Sequence, residues 1–401
     1  MSIDPIAEFT ATWYYRVPVH RDNPVVAPLV DTYLAGGPRP TDQQLGNNHY
    51  ALGLVALEDA RRAGLPPTEP PPPSGRRSPL GYYRLSDGQL ASNPDKYGTL
   101  MVSTGGATAA GKQPGRSLVY TSAISCHSTN PYGVSAAEAR LLGVVLKDAN
   151  GGEIINAQYP GNVIADPGSD AYRAKWCANV EGMVSRYGVD GFWMDDFVRG
   201  PKALTGGKVP AKYPTQASWQ AAIEGFLGYV VSYFKPRGIY VAANAQAGDS
   251  GAWDVDGSLH QTWWPRLMDL GINGLMSEYW LTTDSGDDIL LTEGSGYPRS
   301  WDGWRALHPL CTGRGVDLLG VQYVGGAKAL YCTATFLLDW DGQHGAVLND
   351  PNGDPWDVTC DRVKQLGLPT GPAIKTAGVW RRPFQNGAVT VDARNATASI
   401  A

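Results

Sequence analysis

Charge is scarce in this 401-residue chain: Asp, Glu, Lys and Arg together make up 18% of it and leave a formal net charge of -5. A nucleic-acid binder carries a basic stripe, and the nearest approach here is the pair Arg76-Arg77, so no nucleic-acid partner is expected. No segment reaches the ~18 consecutive apolar residues of a membrane helix, so no membrane span is expected. The opening MSIDPIAEF has neither the basic nor the apolar region of an export signal, so no signal peptide is expected. The five cysteines (Cys126, Cys177, Cys311, Cys332 and Cys360) stand far apart, without a CxxC pair. That argues against a zinc site and for free, mostly buried thiols, with a disulfide among the last three left open. Histidines number only six, and His260 and His344 stand alone as polar loop residues. With no His/Asp cluster at ligand spacing, no metal and no cofactor are expected. No Gly-rich phosphate loop follows a strand-like segment, which argues against a dinucleotide fold.

Hydrophobic residues, by contrast, make up 43%, with 49 Gly, 30 Pro, 13 Trp and 20 Tyr. That is enough for one large core and a smaller module, joined by ordered loops with aromatic surfaces. The sharpest break in composition is GLPPTEPPPPSGRRSP, a proline run that forms a stiff extended spacer. It divides the chain into a small N-terminal module (1–64), suited to attachment, a linker (65–79) and a larger unit (80–377). The module is expected to hold short helices from Pro28 to Leu34 and from Tyr50 to Arg62. The tail, 378–401, reads as a β-hairpin turning at Gln385-Asn386-Gly387.

Within the larger unit, strand-like and helix-like segments alternate. Strands are expected at Gly81 to Leu85, Thr99 to Ser103, Ser117 to Ser125, Val189 to Asp195, Gly238 to Asn244, Gly274 to Tyr279, Leu318 to Tyr323 and Ala346 to Leu348. Trp219, Ala222, Ile223, Phe226, Leu227, Val230, Val231 and Phe234 step by three and four along one helix face. Tyr172, Trp176, Val180, Met183 and Val184 do the same, with Asp170 placed to cap the start and Gly188 the end. Eight strands with helices between them predict an α/β fold, a (β/α)8 barrel.

The stretch GVDGFWMDDF runs through one strand into two adjacent acids, Asp195 and Asp196. Active sites of such barrels lie at the C-terminal strand ends. Alternation along the strand sends Trp193 and Asp195 to one face and Asp196 to the other. Asp195 is therefore expected in the barrel mouth above Trp193, with Asp196 holding a loop or a sugar hydroxyl. The bland alternative is that both acids cap the next segment or pair with Arg199. A second strand, NGLMSEYW, ends in Glu278, and two strands apart the acids face each other across one mouth. Glycoside hydrolysis needs that pairing. Between them, AANAQ offers Asn244 and Gln246 to orient a carboxylate or bind a hydroxyl. The following loops carry Trp253, Trp263, Trp264, Tyr279, Trp280, Trp301 and Trp304, and sugar rings stack on aromatic faces. For any one of these tryptophans core packing is the competing reading. Substrate contacts are expected at Trp193, Trp253, Tyr279, Trp280 and Trp301, with Trp280 walling Glu278.

DGFWMDD on one strand, AANAQ on the next and a strand ending in SEYW resemble the hypothetical glycosyl hydrolase-like family 15. They are also similar to the endo-acting polygalactosaminidase family. NVIADPGSDAYRAKW, QLGLPTGP and the closing VWRRPFQNGAVTV extend the resemblance to the first family over roughly residues 80 to 400. The first 75 residues do not share it. The resemblance implies a (β/α)8 barrel with a catalytic pair at the ends of strands four and six, here Asp195 as nucleophile and Glu278 as acid/base. Proteins of this look also occur among tail proteins of phages infecting actinobacteria. It therefore implies a glycoside hydrolase of a bacterial surface polysaccharide in a virion tail, with other tail proteins as partners. Retention of configuration is the favoured outcome, and the separation of the acids decides it. The alternative is a non-catalytic carbohydrate-binding tail protein on a glycosidase scaffold.

Overall fold

The computed structural model describes residues 26–41, 44, 55, 58, 59, 62, 78–84, 97–113, 115–129, 132–200, 202–246, 258–278, 280–282, 290–294, 301–349 and 356–401. Nearly all of the linker, and most of the helix expected at Tyr50 to Arg62, lie outside the described residues. In the N-terminal region, helix α1 (Ala27–Leu34) matches its expected position.

Eight parallel strands close into a barrel. They are β1 (Leu80–Arg84), β2 (Thr99–Val102), β3 (Arg116–Ser122), β6 (Gly191–Val198), β7 (Tyr240–Gln246), β8 (Gly274–Glu278), β9 (Asp317–Gln322) and β10 (Ala346–Asn349). β1 closes the ring by pairing with both β2 and β10. A short antiparallel ribbon, β4 (Ser125–Cys126) with β5 (Val163–Ile164), lies between the third and fourth barrel strands. Around the barrel lie α2 (Thr104–Ala110), α3 (Ala136–Leu141), α4 (Asp170–Tyr187), α5 (Lys202–Thr205), α6 (Gln216–Phe234), α7 (Ser258–Asp269), α8 (Trp301–Thr312), α9 (Gly326–Asp339) and α10 (Trp356–Leu366). All eight expected strands are present.

The helices form where the apolar period says they should. The eight apolar residues of α6 are all buried, and Thr215 and Ser218 cap its start reciprocally. In α4 the cap is Ser169, whose hydroxyl accepts from the Tyr172 amide, and Asp170 is the first helical residue, not the cap. Its charge still lies favourably at the positive end of the helix. Gly188 ends α4 in the left-handed conformation, φ 64°.

Strand alternation builds two apolar shells. Tyr83, Met101, Leu118, Trp193, Ala242, Met276, Leu319, Val321, Ala346 and Leu348 fill the barrel interior. Neighbours of opposite parity, such as Phe192 and Met194, pack outward against the helices. The floor of the barrel is polar. Arg116 lies 3.9 Å over the Tyr240 ring and pairs with Asp317. Asp317 also accepts from the Tyr240 hydroxyl (2.6 Å) and the Gly345 amide (2.7 Å). A Cβ at Gly274 would lie 2.4 Å from that hydroxyl, so the floor requires a glycine there.

The tail is more than the expected hairpin. β12 (Val379–Phe384) and β13 (Gly387–Asp392) form it as expected, but β11 (Ile374–Thr376) and β14 (Thr397–Ile400) flank it in a four-stranded antiparallel sheet. An isolated hairpin is marginal in water. Here Phe384, Val389, Val391 and Ile400 join the core outside the barrel, and Arg382 donates to the carbonyls of Leu337 and Trp340 at the end of α9. All five cysteines are buried thiols. Among the described residues no helix is long and apolar enough to cross a membrane.

Candidate active site

At the C-terminal ends of the strands, β6 departs from regular pairing. Met194 pairs with Ala243 of β7, but the next pair is Phe197 with Ala245. Asp195 and Asp196 together therefore face the single residue Asn244, which is a β-bulge. Asp196 takes the left-handed conformation, φ 56°, which Asp tolerates better than most residues. The bulge corrects the expectation from strict alternation. Phe197, not Asp196, takes the next outward position and stacks on Trp263 at 5.7 Å. Asp196 stays beside Asp195 on the rim between β6 and β3, where the Ser122 hydroxyl donates to its Oδ2 (3.1 Å).

Asn244 ties the acids together. It is 1% exposed, and its one amide nitrogen donates to Asp195 Oδ1 (3.0 Å) and to Glu278 Oε2 (2.7 Å). Asp195 Oδ1 also accepts from the Asp196 backbone N–H (2.9 Å), and the Tyr120 hydroxyl is near enough to favour the charged form of the same carboxylate. Glu278 Oε1 accepts from the Tyr323 hydroxyl. Three consecutive barrel strands, β6, β7 and β8, thus deliver one connected network across the mouth.

Burial raises Asp195 above the ordinary carboxylate range, against the pull of these three groups. Burial and the neighbouring Asp195 charge push Asp196 up to about 8, with Glu278 adding repulsion. Tyr159, 58% exposed, feels the charges of Asp195, Asp196 and Glu278, so the three acids share one opening. Among the described residues no group of three or more His, Cys, Asp or Glu is placed to hold a metal ion.

The aromatic lining differs from the expectation. Trp193 is the buried floor, as placed from the sequence, and it offers no exposed face. Around it stand tyrosines: Tyr83 at 5.5 Å and Tyr120 at 5.0 Å from the Trp193 ring. Tyr323 meets Tyr83 edge-on, and Tyr132 and His127 extend the wall beyond Tyr120. The expected tryptophans lie in the core instead. β8 stops at Glu278, and Trp280 lies away from the mouth. Its Nε1 donates to the Cys332 carbonyl (3.0 Å), and the ring packs on Trp304 and Phe336. Trp301 is buried beside Trp380 and Arg305. Trp263, Trp264 and Trp304 are buried as well. Trp253 and Tyr279 lie outside the described residues. Gln246 ends β7, and its side chain is outside what is described. The one sequence signal for Tyr83, Tyr120 and Tyr323 is strand parity, which gives Tyr83 and Tyr120 the inward face of their strands, with Met101 and Trp193, and Tyr323 that of Leu319 and Val321.

The chain thus forms a (β/α)8 barrel with two carboxylates joined across its C-terminal mouth. The chain is similar in structure to the glycoside hydrolase domain of PelA from Pseudomonas aeruginosa, at 11% identity and a TM-score of 0.44, over 67% of this chain and 94% of that one. It is also similar to Ega3 of Aspergillus fumigatus in complex with galactosamine, at 11% identity and a TM-score of 0.41, over 71% and 96%. A third likeness is to the maltogenic alpha-amylase AmyB of Thermotoga neapolitana, at 10% identity and a TM-score of 0.42, over 79% and 86%. Likenesses this distant carry no argument about the chemistry of this chain. No family model and no curated protein matches the sequence.

Proposed function

We propose that the chain is a retaining O-glycoside hydrolase that cleaves a bacterial cell-surface polysaccharide as part of a phage tail. The bridge made by Asn244 carries the reading. Bonded to one amide nitrogen at 3.0 and 2.7 Å, the bound oxygens of Asp195 and Glu278 lie at most about 5.7 Å apart. That favours the ~5–5.5 Å spacing of retaining enzymes over the ~6.5–9.5 Å of inverting ones. Asp195 attacks the anomeric carbon as the bond to the leaving oxygen breaks, and Glu278 delivers a proton to that oxygen. Glu278 then takes a proton from the water that releases the sugar from Asp195. Asn244 fixes both acids throughout, and Tyr323 orients Glu278. The tyrosine wall supplies apolar faces for the sugar ring. The polysaccharide, the virion setting and its tail-protein partners rest on the sequence resemblance.

The test is release of reducing ends from actinobacterial wall material by the purified chain and by Asp195→Asn and Glu278→Ala. The proposal expects release by the parent and loss in both variants with melting preserved. Binding of the wall material without release would favour the non-catalytic carbohydrate-binding reading.

A further inference from the structure

Asp195 and Asp196 are chemically identical neighbours with opposite surroundings. Two of the groups that bond Asp195 are fixed donors, the Asn244 amide nitrogen and the Asp196 backbone N–H, which require an acceptor. The group that bonds the Asp196 carboxyl is a hydroxyl, that of Ser122 (3.1 Å), which can accept as well as donate. One site is built for a carboxylate, and the other can hold a carboxylic acid. The bulge creates this division. Its extra residue turns one amide N–H onto Asp195 and lays its own side chain against Ser122.

We propose that Asp196 is a positioning residue for Asp195, held in the mouth as a neutral carboxyl so that the single negative charge of the pair stays on the nucleophile. The inference rests on the glycosidase reading for the word nucleophile, whereas the charge state of Asp196 stands apart from it. The groups around Asp196 agree. Asp195 and Glu278 repel a second anion, and Tyr120, Tyr159 and Tyr172 bring no positive charge. Neither Asp195 nor Asp196 forms an ion pair among the described residues. The upward shift of Asp196, caused first by burial and then by the Asp195 charge, has the same direction.

Two readouts need no substrate. A carboxyl kept neutral in the fold gives stability that is complete below its unfolded pKa of ~3.9 and is lost as pH rises through its raised folded value. Asp196→Asn removes that loss. The melting temperature of the full chain with Asp196→Asn should therefore rise relative to the parent by a margin that grows between pH 4 and pH 8. Carbon-13 labelling of Asp side chains should show a carboxyl that titrates above pH 6 in the parent and is missing from Asp196→Asn. A margin independent of pH, or no such carboxyl, overturns the proposal even if the chain is an active glycosidase. In the reducing-end assay, Asp196→Ala should lose turnover at least tenfold at pH 6, mainly in kcat, and Asn should restore most of it. Asn as damaging as Ala in a folded protein would show that the anion is needed and would equally overturn it. Absence of all wall cleavage would count against the glycosidase reading alone, and the two titration readouts would still decide the charge of Asp196.

Discussion

The barrel holds aspartates at both ends, buried at one and half-buried at the other, and treats them in opposite ways. At the floor, Asp317 meets the Arg116 guanidinium, the Tyr240 hydroxyl and a backbone amide, and its pKa is lowered despite full burial. At the mouth, Asp195 and Asp196 meet no cation among the described residues and both are raised. A neutralised acid contributes to holding the strands together. An acid held beside another acid costs stability, a cost that functional positions carry. On the proposed reading, the N-terminal strand ends serve stability and the C-terminal ends serve chemistry, as in other (β/α)8 barrels.

The largest expected effect separates the two ends. Asp195→Asn should lower kcat for wall-polysaccharide cleavage by at least ~1,000-fold, about 4 kcal/mol of barrier, while melting at neutral pH stays level or rises. Asp317→Asn should do the reverse. It strands the Arg116 charge in the floor and should cost about 3–5 kcal/mol in denaturant unfolding, with kcat of the remaining folded protein little changed. If Asp317→Asn abolished turnover without destabilising, or Asp195→Asn unfolded the chain, the contrast between the ends would fail.

Removing the bridge tests the mouth more finely. Asn244→Ala takes a charge-assisted bond from each acid at about 1.5–3 kcal/mol apiece, so kcat should fall ~100-fold or more, with KM changing less. Tyr323→Phe removes one donor to Glu278 and should cost about tenfold in kcat/KM. The pH dependence is the mildest contrast and the one with opposite signs. The Arg116–Asp317 contribution is present at neutral pH and is lost as pH falls through the lowered Asp317 value. The mouth contribution is complete in acid and is lost as pH rises through the raised values of Asp195 and Asp196. Melting curves from pH 3 to pH 9 should therefore lose their acid-side fall in part with Asp317→Asn and their alkaline fall in part with Asp196→Asn.

The strands were legible because a strand buried on both faces reads as an uninterrupted apolar run, and β6 and β8 announced their ends by an acid. Helices α4 and α6 were legible because their apolar residues keep a helical period over many turns. The bulge was not, since counting by twos cannot register an inserted residue, and it misdirected Asp196. The end of β8 at Glu278 was equally invisible, so alternation places Trp280 on the face of Glu278 although the strand has already stopped and Trp280 lies in the core. Tryptophan abundance drew attention away from the tyrosines. Tyr83, Tyr120 and Tyr323 lie within or just beyond strand runs, where they read as core filling. The short outer strands of the tail sheet carry no pattern of their own. They form because the hairpin needs flanking strands and an apolar surface.

Stereochemistry tests the central pairing of Asp195 with Glu278 most directly. Proton NMR can follow the first reducing ends released when the parent chain digests wall polysaccharide, before mutarotation mixes the anomers. The account predicts that the new reducing end first appears with the configuration of the bond that was cut. Immediate appearance of the opposite anomer would contradict it, because on the proposed reading two acids bonded to one amide nitrogen leave too little room for an inverting water.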